Sequence, residues 1–359
     1  MKQTVLVAMS GGVDSSVAAA LLVEQGHTVV GVTMKTFCYS ETRAQARTCC
    51  GLDGIQDARR VADTLGIPHY VFDMEESFTR DVIDDFVSEY AAGRTPNPCV
   101  RCNSNTKIPD LLRRGRMFGA DVIATGHYAR VEDAAGDAAL LRGRDTDKDQ
   151  SYFLWGVPRE VVSHLRFPVG DLTKPDVRHR ARALGLVTAD KPESQEICFV
   201  PGNDYGEFLS ARLGDAHPSL APGAIVTRDG TAVGEHAGYS RYTVGQRRGL
   251  GGGRGTPLYV LAVRPDSNEI VVGTDNELYA DTVILGDLNW IAAPPHAVEH
   301  LHVQLRHRAS PAAAIVTYVD ESELRLHLET PQRAVTPGQS GALYRGERLV
   351  GGGRIRGTV

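Results

Sequence analysis

Ser10-Gly11-Gly12-Val13-Asp14-Ser15 stands between an apolar run, Thr4 to Met9, and a helix-forming stretch from Val13 to Gln25. A strand that turns on two glycines into a helix leaves the first helical amides without partners inside the helix. Those amides, with the positive end of the helix dipole behind them, make an anion site, and the glycines let a phosphate approach the backbone. Ser10 and Ser15 add hydroxyl donors, and Asp14 is a candidate magnesium ligand. No GxxxxGK[ST] occurs in the chain, so this is not the phosphoryl-transfer loop whose lysine grips the terminal phosphates. The chain must therefore open with a strand, a phosphate-binding loop and a helix.

The alternation continues. His27 to Met34 reads as a second buried strand, Asp57 to Leu65 as a helix and His69 to Asp73 as a strand. Ser77 is expected to cap a helix running to about Tyr90, followed by a helix over Asn105 to Met117 and a strand over Val122 to Thr125. Such a pattern gives a parallel, Rossmann-like α/β sheet with its ligand at the carboxyl ends of the strands. Ala8 to Ser15, Met34 and Gly126 all lie at such ends and are the candidate nucleotide contacts. Helical periodicity persists over Pro175 to Leu184 and Tyr205 to Leu213. From Gly223 the chain turns to short strands, with Asp229-Gly230 as a hairpin turn and Val298 to His307 strictly alternating. The expected division is a nucleotide-binding domain over 1–204, a small central domain over 205–278 and a C-terminal β-barrel over 279–359.

A length of 359 residues suits two or three domains, and 42% hydrophobic residues suffice for ordinary cores. With no signal peptide and no long apolar span, a cytoplasmic protein without a membrane partner is expected. Six cysteines in such a chain point to reactive or metal-binding thiols in place of a disulfide framework. A net charge of −5 and a pI near 6.2 argue against a nonspecific nucleic-acid binder. They leave room for local basic tracks at Arg101, Lys107, Arg113, Arg114 and Arg116, at Arg178, Arg180 and Arg182, at Arg241, Arg247, Arg248 and Arg254, and at Arg306 and Arg308.

Cys99 and Cys102, in Thr95-Pro96-Asn97-Pro98-Cys99-Val100-Arg101-Cys102-Asn103, are three apart in a proline-stiffened loop just before a helix. Redox, zinc and iron–sulfur sites all use that spacing. Cys198 is the natural third partner, and Arg101 with the helix start can favour a thiolate at Cys102. Cys38, Cys49 and Cys50 can ligate zinc, relay sulfur or merely pack, and the sequence does not choose among these.

The loop at Ser10 to Ser15 resembles the PP-loop of the ATP pyrophosphatases, which cut ATP between the α and β phosphates. Eight ordered segments carry a narrower resemblance, to the tRNA-specific 2-thiouridylases (MnmA family), over almost the whole chain. They are SGGVDSSVAA, GRTPNPCVRCN, ATGHYAR, KDQSYFLW, LTKPDVR, SQEICFV, YTVGQRRGLG and PQRAVTPGQS. The resemblance implies ATP-dependent 2-thiolation of the wobble uridine of tRNAs for Lys, Glu and Gln, with a sulfur-donor protein as partner. It implies Cys102 as nucleophile and Cys198 as persulfide carrier. It also implies tRNA contacts at Asn97, Pro98, Cys99, His127, Lys148, Asp149, Gln150, Arg306, His307, Arg308 and Gln339. The target base would be flipped out of the anticodon loop. Many relatives carry Asp where this chain has Cys99. Cys99, Cys102 and Cys198 together offer three thiolates for a 4Fe-4S cluster with one open iron, the favoured alternative to the persulfide. A PP-loop ligase acting on a small molecule, such as an amidating synthetase, is the other enzyme reading. A noncatalytic RNA-binding or redox-sensing protein is the reading outside enzymes.

Overall fold

The computed structural model describes residues 2–37, 52–134, 136–193, 197–200, 202, 204–250 and 257–359. Cys38, Cys49, Cys50, Ser194 to Glu196 and Arg254 lie outside the described residues. The first four strands are β1 (Thr4–Ala8), β2 (Thr28–Lys35), β3 (His69–Asp73) and β4 (Val122–Ala124). A hairpin of β5 (Ala129–Ala134) and β6 (Asp137–Arg142) then precedes the short β7 (Leu165–Arg166). Five of these form a parallel sheet in the order β3-β2-β1-β4-β7.

The apolar run of β1 is uninterrupted because both of its faces are covered. Val5 and Val7 pack with Val17, Ala18 and Ala19 of α1 (Val13–Glu24), whereas Leu6 and Ala8 face Ile108 and Leu111 on the other side. The chain leaves β1 toward β2 and β3 and later returns on the opposite side as β4. The strand order therefore reverses between β1 and β4, where α/β sheets bind their ligands.

Three local expectations change. The second helix, α2 (Leu52–Leu65), begins earlier than Asp57. Ser77 caps nothing: the helix starts at Glu75 and the Ser77 hydroxyl donates back to the Met74 carbonyl. The cysteine segment is itself helical from Pro98, because Pro98 sits at the first helical position, where its missing N–H costs nothing. The helix runs as Pro98–Arg101, a π segment over Cys102–Lys107 and Ile108–Gly115. Such π segments are frequent at functional sites.

The central strands are β8 (Pro222–Thr227), β9 (Ala232–Ala237), β10 (Tyr259–Arg264) and β11 (Glu269–Gly273). They form a sheet ordered β10-β11-β8-β9, with Gly230 at φ +88° in the β8–β9 turn. The C-terminal strands are β12 (Tyr279–Trp290), β13 (His300–Gln304), β14 (Ala312–Val319), β15 (Leu324–Arg333), β16 (Ser340–Arg345) and β17 (Arg348–Thr358). They run β12-β15-β14-β13-β16-β17, and β17 pairs back onto β12, which closes the barrel. The alternating run at Val298 to His307 yields a shorter strand, since Val298 and Arg308 hold left-handed backbone at φ +68° and +66°. The β5–β6 hairpin, early in the sequence, extends the barrel sheet through Leu141 beside Arg348 of β17.

Candidate functional site

Gly12 caps α1 without offering a side chain, so the first helical amides are left for something outside the helix. Gly11 holds φ +71° with its Cα against the Gly54 carbonyl at the start of α2, a position no Cβ could share. The Ser15 hydroxyl accepts from Ser10 N at 3.2 Å and donates to the Gly12 carbonyl at 3.1 Å, which folds the loop on itself. Gly126, after β4, abuts the loop so closely that a Cβ would come within 2.6 Å of Ser15 N. Ala8 and Met9 are buried beneath, and Met34 lies near the end of β2. All the expected nucleotide contacts thus share the carboxyl edge of three neighbouring strands.

Two lysines that no sequence spacing announces complete this edge. Lys174, only 7% exposed, places Nζ 2.7 and 2.8 Å from the two oxygens of Asp14. Its position is fixed by a capping box, in which Thr173 and Asp176 bond each other's backbone. The Tyr128 hydroxyl also donates to Asp14 at 2.8 Å; burial first, then the Asp14 charge, pushes that phenol well above its usual range. Lys191 Nζ donates to the Gly11 carbonyl at 2.9 Å and to Asp57 at 2.6 Å. Asp14 Oδ1 thus accepts from Lys174 and Tyr128 and Oδ2 from Lys174, which leaves Oδ2 one acceptor site for a further ligand such as magnesium. Glu193 then bridges Lys174 (3.1 Å) and Lys148 (2.9 Å). Burial alone would raise the Glu193 pKa, but hydrogen bonds from the two lysines hold it below the usual carboxylate range.

Cys99 is exposed in the first helical turn, and Cys102 begins the π segment. Cys102 and Cys198 are half-buried against one aromatic cluster that includes Phe78, Phe86 and Phe199. Arg101 pairs with Asp85 at 3.4 Å. Among the described residues no three Cys, His, Asp or Glu side chains converge as metal ligands. Cys99, three residues before Cys102 on the same helix, is the most exposed of the three thiols.

The residues expected to meet tRNA divide into two groups. Arg306, His307 and Arg308 are exposed on the barrel, with the His307 ring 4.5 Å from Phe153. Cys99 is exposed as well, whereas His127, Asp149, Gln150 and Gln339 are engaged by neighbouring parts of the protein. Asp149 accepts from Arg142, Gly143 N and Ser151, and Gln150 accepts from Tyr128 N. Gln339 donates to the Thr95 and Pro96 carbonyls. The His127 ring lies 2.6 Å from the Thr125 hydroxyl and edge-on to Phe167; burial first, then nearby Lys107, lowers its pKa to about 3. Of the basic tracks, Arg178 binds the Ala189 and Lys191 carbonyls and Arg182 binds Asp190, so they hold the chain around Lys191.

Residues 3–202 match the family model described as tRNA methyl transferase HUP domain. Residues 207–274 match the tRNA methyl transferase PRC-barrel domain, and 280–355 the aminomethyltransferase β-barrel domain. The chain is 48% identical to the tRNA-specific 2-thiouridylase MnmA of Carboxydothermus hydrogenoformans, over 99% of this chain and 98% of that protein. It is also 48% identical to the protein of the same name from Geobacter metallireducens, over 99% and 97%. The corresponding protein of Magnetococcus marinus is 47% identical over 98% and 99%.

Proposed function

The chain belongs to the tRNA-specific 2-thiouridylase (MnmA) family, and from that premise we propose that it 2-thiolates the wobble uridine of tRNAs for Lys, Glu and Gln. The observation that carries this reading is the line of ion pairs from Asp14 through Lys174 to Glu193. It ties the phosphate loop to the segment that leads to Cys198, so activation and sulfur delivery can share one pocket. ATP would lie on the amides that open α1. Uracil O2 attacks the α-phosphorus, pyrophosphate leaves, and C2 now carries AMP as a good leaving group. The ammonium groups of Lys174 and Lys191 are suited to balance charge on the departing pyrophosphate.

A persulfide on Cys198, loaded by a sulfur-donor protein, then attacks C2 through its terminal sulfur and AMP departs. Cys102 attacks the Cys198 sulfur, the old S–S bond breaks, 2-thiouridine is released and a Cys102–Cys198 disulfide remains for a thiol reductant to reset. The common aromatic seat of Cys102 and Cys198 supports this two-thiol course. Arg306, His307 and Arg308 would meet the tRNA backbone.

AMP and pyrophosphate should form from ATP only when cognate tRNA is present, measured by pyrophosphate release. Hydrolysis without tRNA would sink the reading and favour a small-molecule ligase. Cys102→Ser and Cys198→Ser should each abolish thiolation and retain ATP binding, whereas Cys99→Ser should retain thiolation. Loss of thiolation in Cys99→Ser, with iron and labile sulfide in anaerobically purified protein, would restore the cluster.

A further inference from the structure

Parts of all three domains meet on the segment from Gly93 to Cys102. From the barrel, Gln339 Nε2 donates to the carbonyls of Thr95 at 2.9 Å and Pro96 at 3.1 Å. The Pro337 carbonyl accepts from Thr95 N at 2.9 Å. Gly338 between them holds φ +91°, and a Cβ there would come within 2.8 Å of Thr95 N. From the central domain, the Thr243 hydroxyl lies 3.0 Å from that of Thr95, and Pro265 packs on Gly93. Within the first domain, the buried Tyr152 hydroxyl, which has the Asn97 side chain nearby, donates to the Ser340 carbonyl at 3.1 Å.

The sequence explains why this segment needs outside help. In Thr95-Pro96-Asn97-Pro98 two of four residues lack an N–H, so the stretch has few donors with which to form turns of its own. Its carbonyls must find donors elsewhere, and the Gln339 amide supplies two. That amide is directed at the protein's own backbone.

We propose that Gln339 is a positioning residue, through which the C-terminal barrel sets the geometry of Thr95 to Cys99, of which Asn97 to Cys99 would lie against the target base. Its consequence for chemistry rests on the thiolation reading; the clamp itself does not. Gln339 thus acts on the rate at which bound tRNA reacts, and the exposed Arg306 and Arg308 act on how tightly tRNA is held.

The test compares wild type with Gln339→Ala and Gln339→Glu. Glu keeps the length but turns a carboxylate oxygen toward two carbonyls, so it should be at least as damaging as Ala. Hydrogen exchange of the peptide spanning residues 93–102, read by mass spectrometry in tRNA-free protein, should accelerate in both variants while distant peptides and Tm stay unchanged. Single-turnover thiolation at saturating tRNA should fall by about 10- to 100-fold, the scale of a misplaced reacting group, with the tRNA Kd changed less than about twofold. Unchanged exchange in residues 93–102 would overturn the proposal. So would a Kd weakened about tenfold with an unchanged saturated rate, since that is the signature of a direct tRNA contact. If wild-type protein thiolates no tRNA, the proposed function falls, and the exchange experiment alone decides the clamp.

Discussion

Lys174 is the residue on which the nucleotide edge turns. An ammonium this deeply enclosed needs opposite charge around it, and Asp14, Glu193 and the face of Tyr128 surround Lys174. The arrangement places a cation beside the phosphate loop, a role that other nucleotide loops give to a lysine within the motif itself. Lys174→Met keeps the length of the side chain and removes its charge. Adenylation should then slow by about 100-fold, comparable to losing one charge-stabilising donor at a reacting centre. Pyrophosphate release in the presence of tRNA measures this, with Tm as the check on folding. An unchanged rate would leave Lys174 as a structural partner of Asp14 only.

At the scale of elements, the β5–β6 hairpin shows which contacts between the first domain and the barrel matter. Its rim pairs, Arg130–Glu347 at 2.6 Å and Arg348–Asp137 at 2.9 Å, each include a carboxylate more than half exposed. Exposed pairs contribute little, so Glu347→Ala should cost less than about 1 kcal/mol. Trp155 is different: it is 7% exposed, and its indole packs so tightly on Gly352 of β17 that a Cβ there would sit 3.0 Å away. Trp155→Ala should cost about 3–5 kcal/mol, read by urea denaturation; equal effects of the two substitutions would contradict this division. The parallel sheet was legible because β1, β2 and α1 carry their burial in local apolar patterns. The hairpin's allegiance was not, because nothing within β5 and β6 names their partner strand, which lies some two hundred residues later. The same distance hid Lys174 and Lys191 from a reading of the loop at Ser10 to Ser15. Asp149, Gln150 and Gln339 were found as special positions, but which way each side chain points is decided by neighbours from other elements.

Across the whole molecule, the domains are joined by a shared core and by one buried ionic node. Leu140, Tyr152, Leu154 and Trp155 of the first domain pack in a single cluster with Ile291, Ala342, Tyr344 and Leu349 of the barrel. Arg354 of β17 reaches Asp85 at 3.0 Å and Glu89 at 2.7 Å, while Arg94 also pairs with Glu89. Glu89 is only 4% exposed; burial by itself would raise its pKa, and Arg94 and Arg354 overcome that and hold it below the ordinary value of 4.5. A carboxyl depressed in the folded state contributes stability that is fully present above its unfolded pKa and is lost as pH falls through the folded one. Domain docking should therefore weaken in acid. Glu89→Gln tests this, since glutamine resembles the protonated acid in shape and charge. At pH 7 the variant should be less stable than wild type by about 1–3 kcal/mol. That gap should narrow as pH drops below 4.5, where wild type itself takes up the proton. Urea denaturation of both proteins across this range measures the gap, and a difference that stayed constant with pH would show that Glu89 stabilises by shape and not by charge.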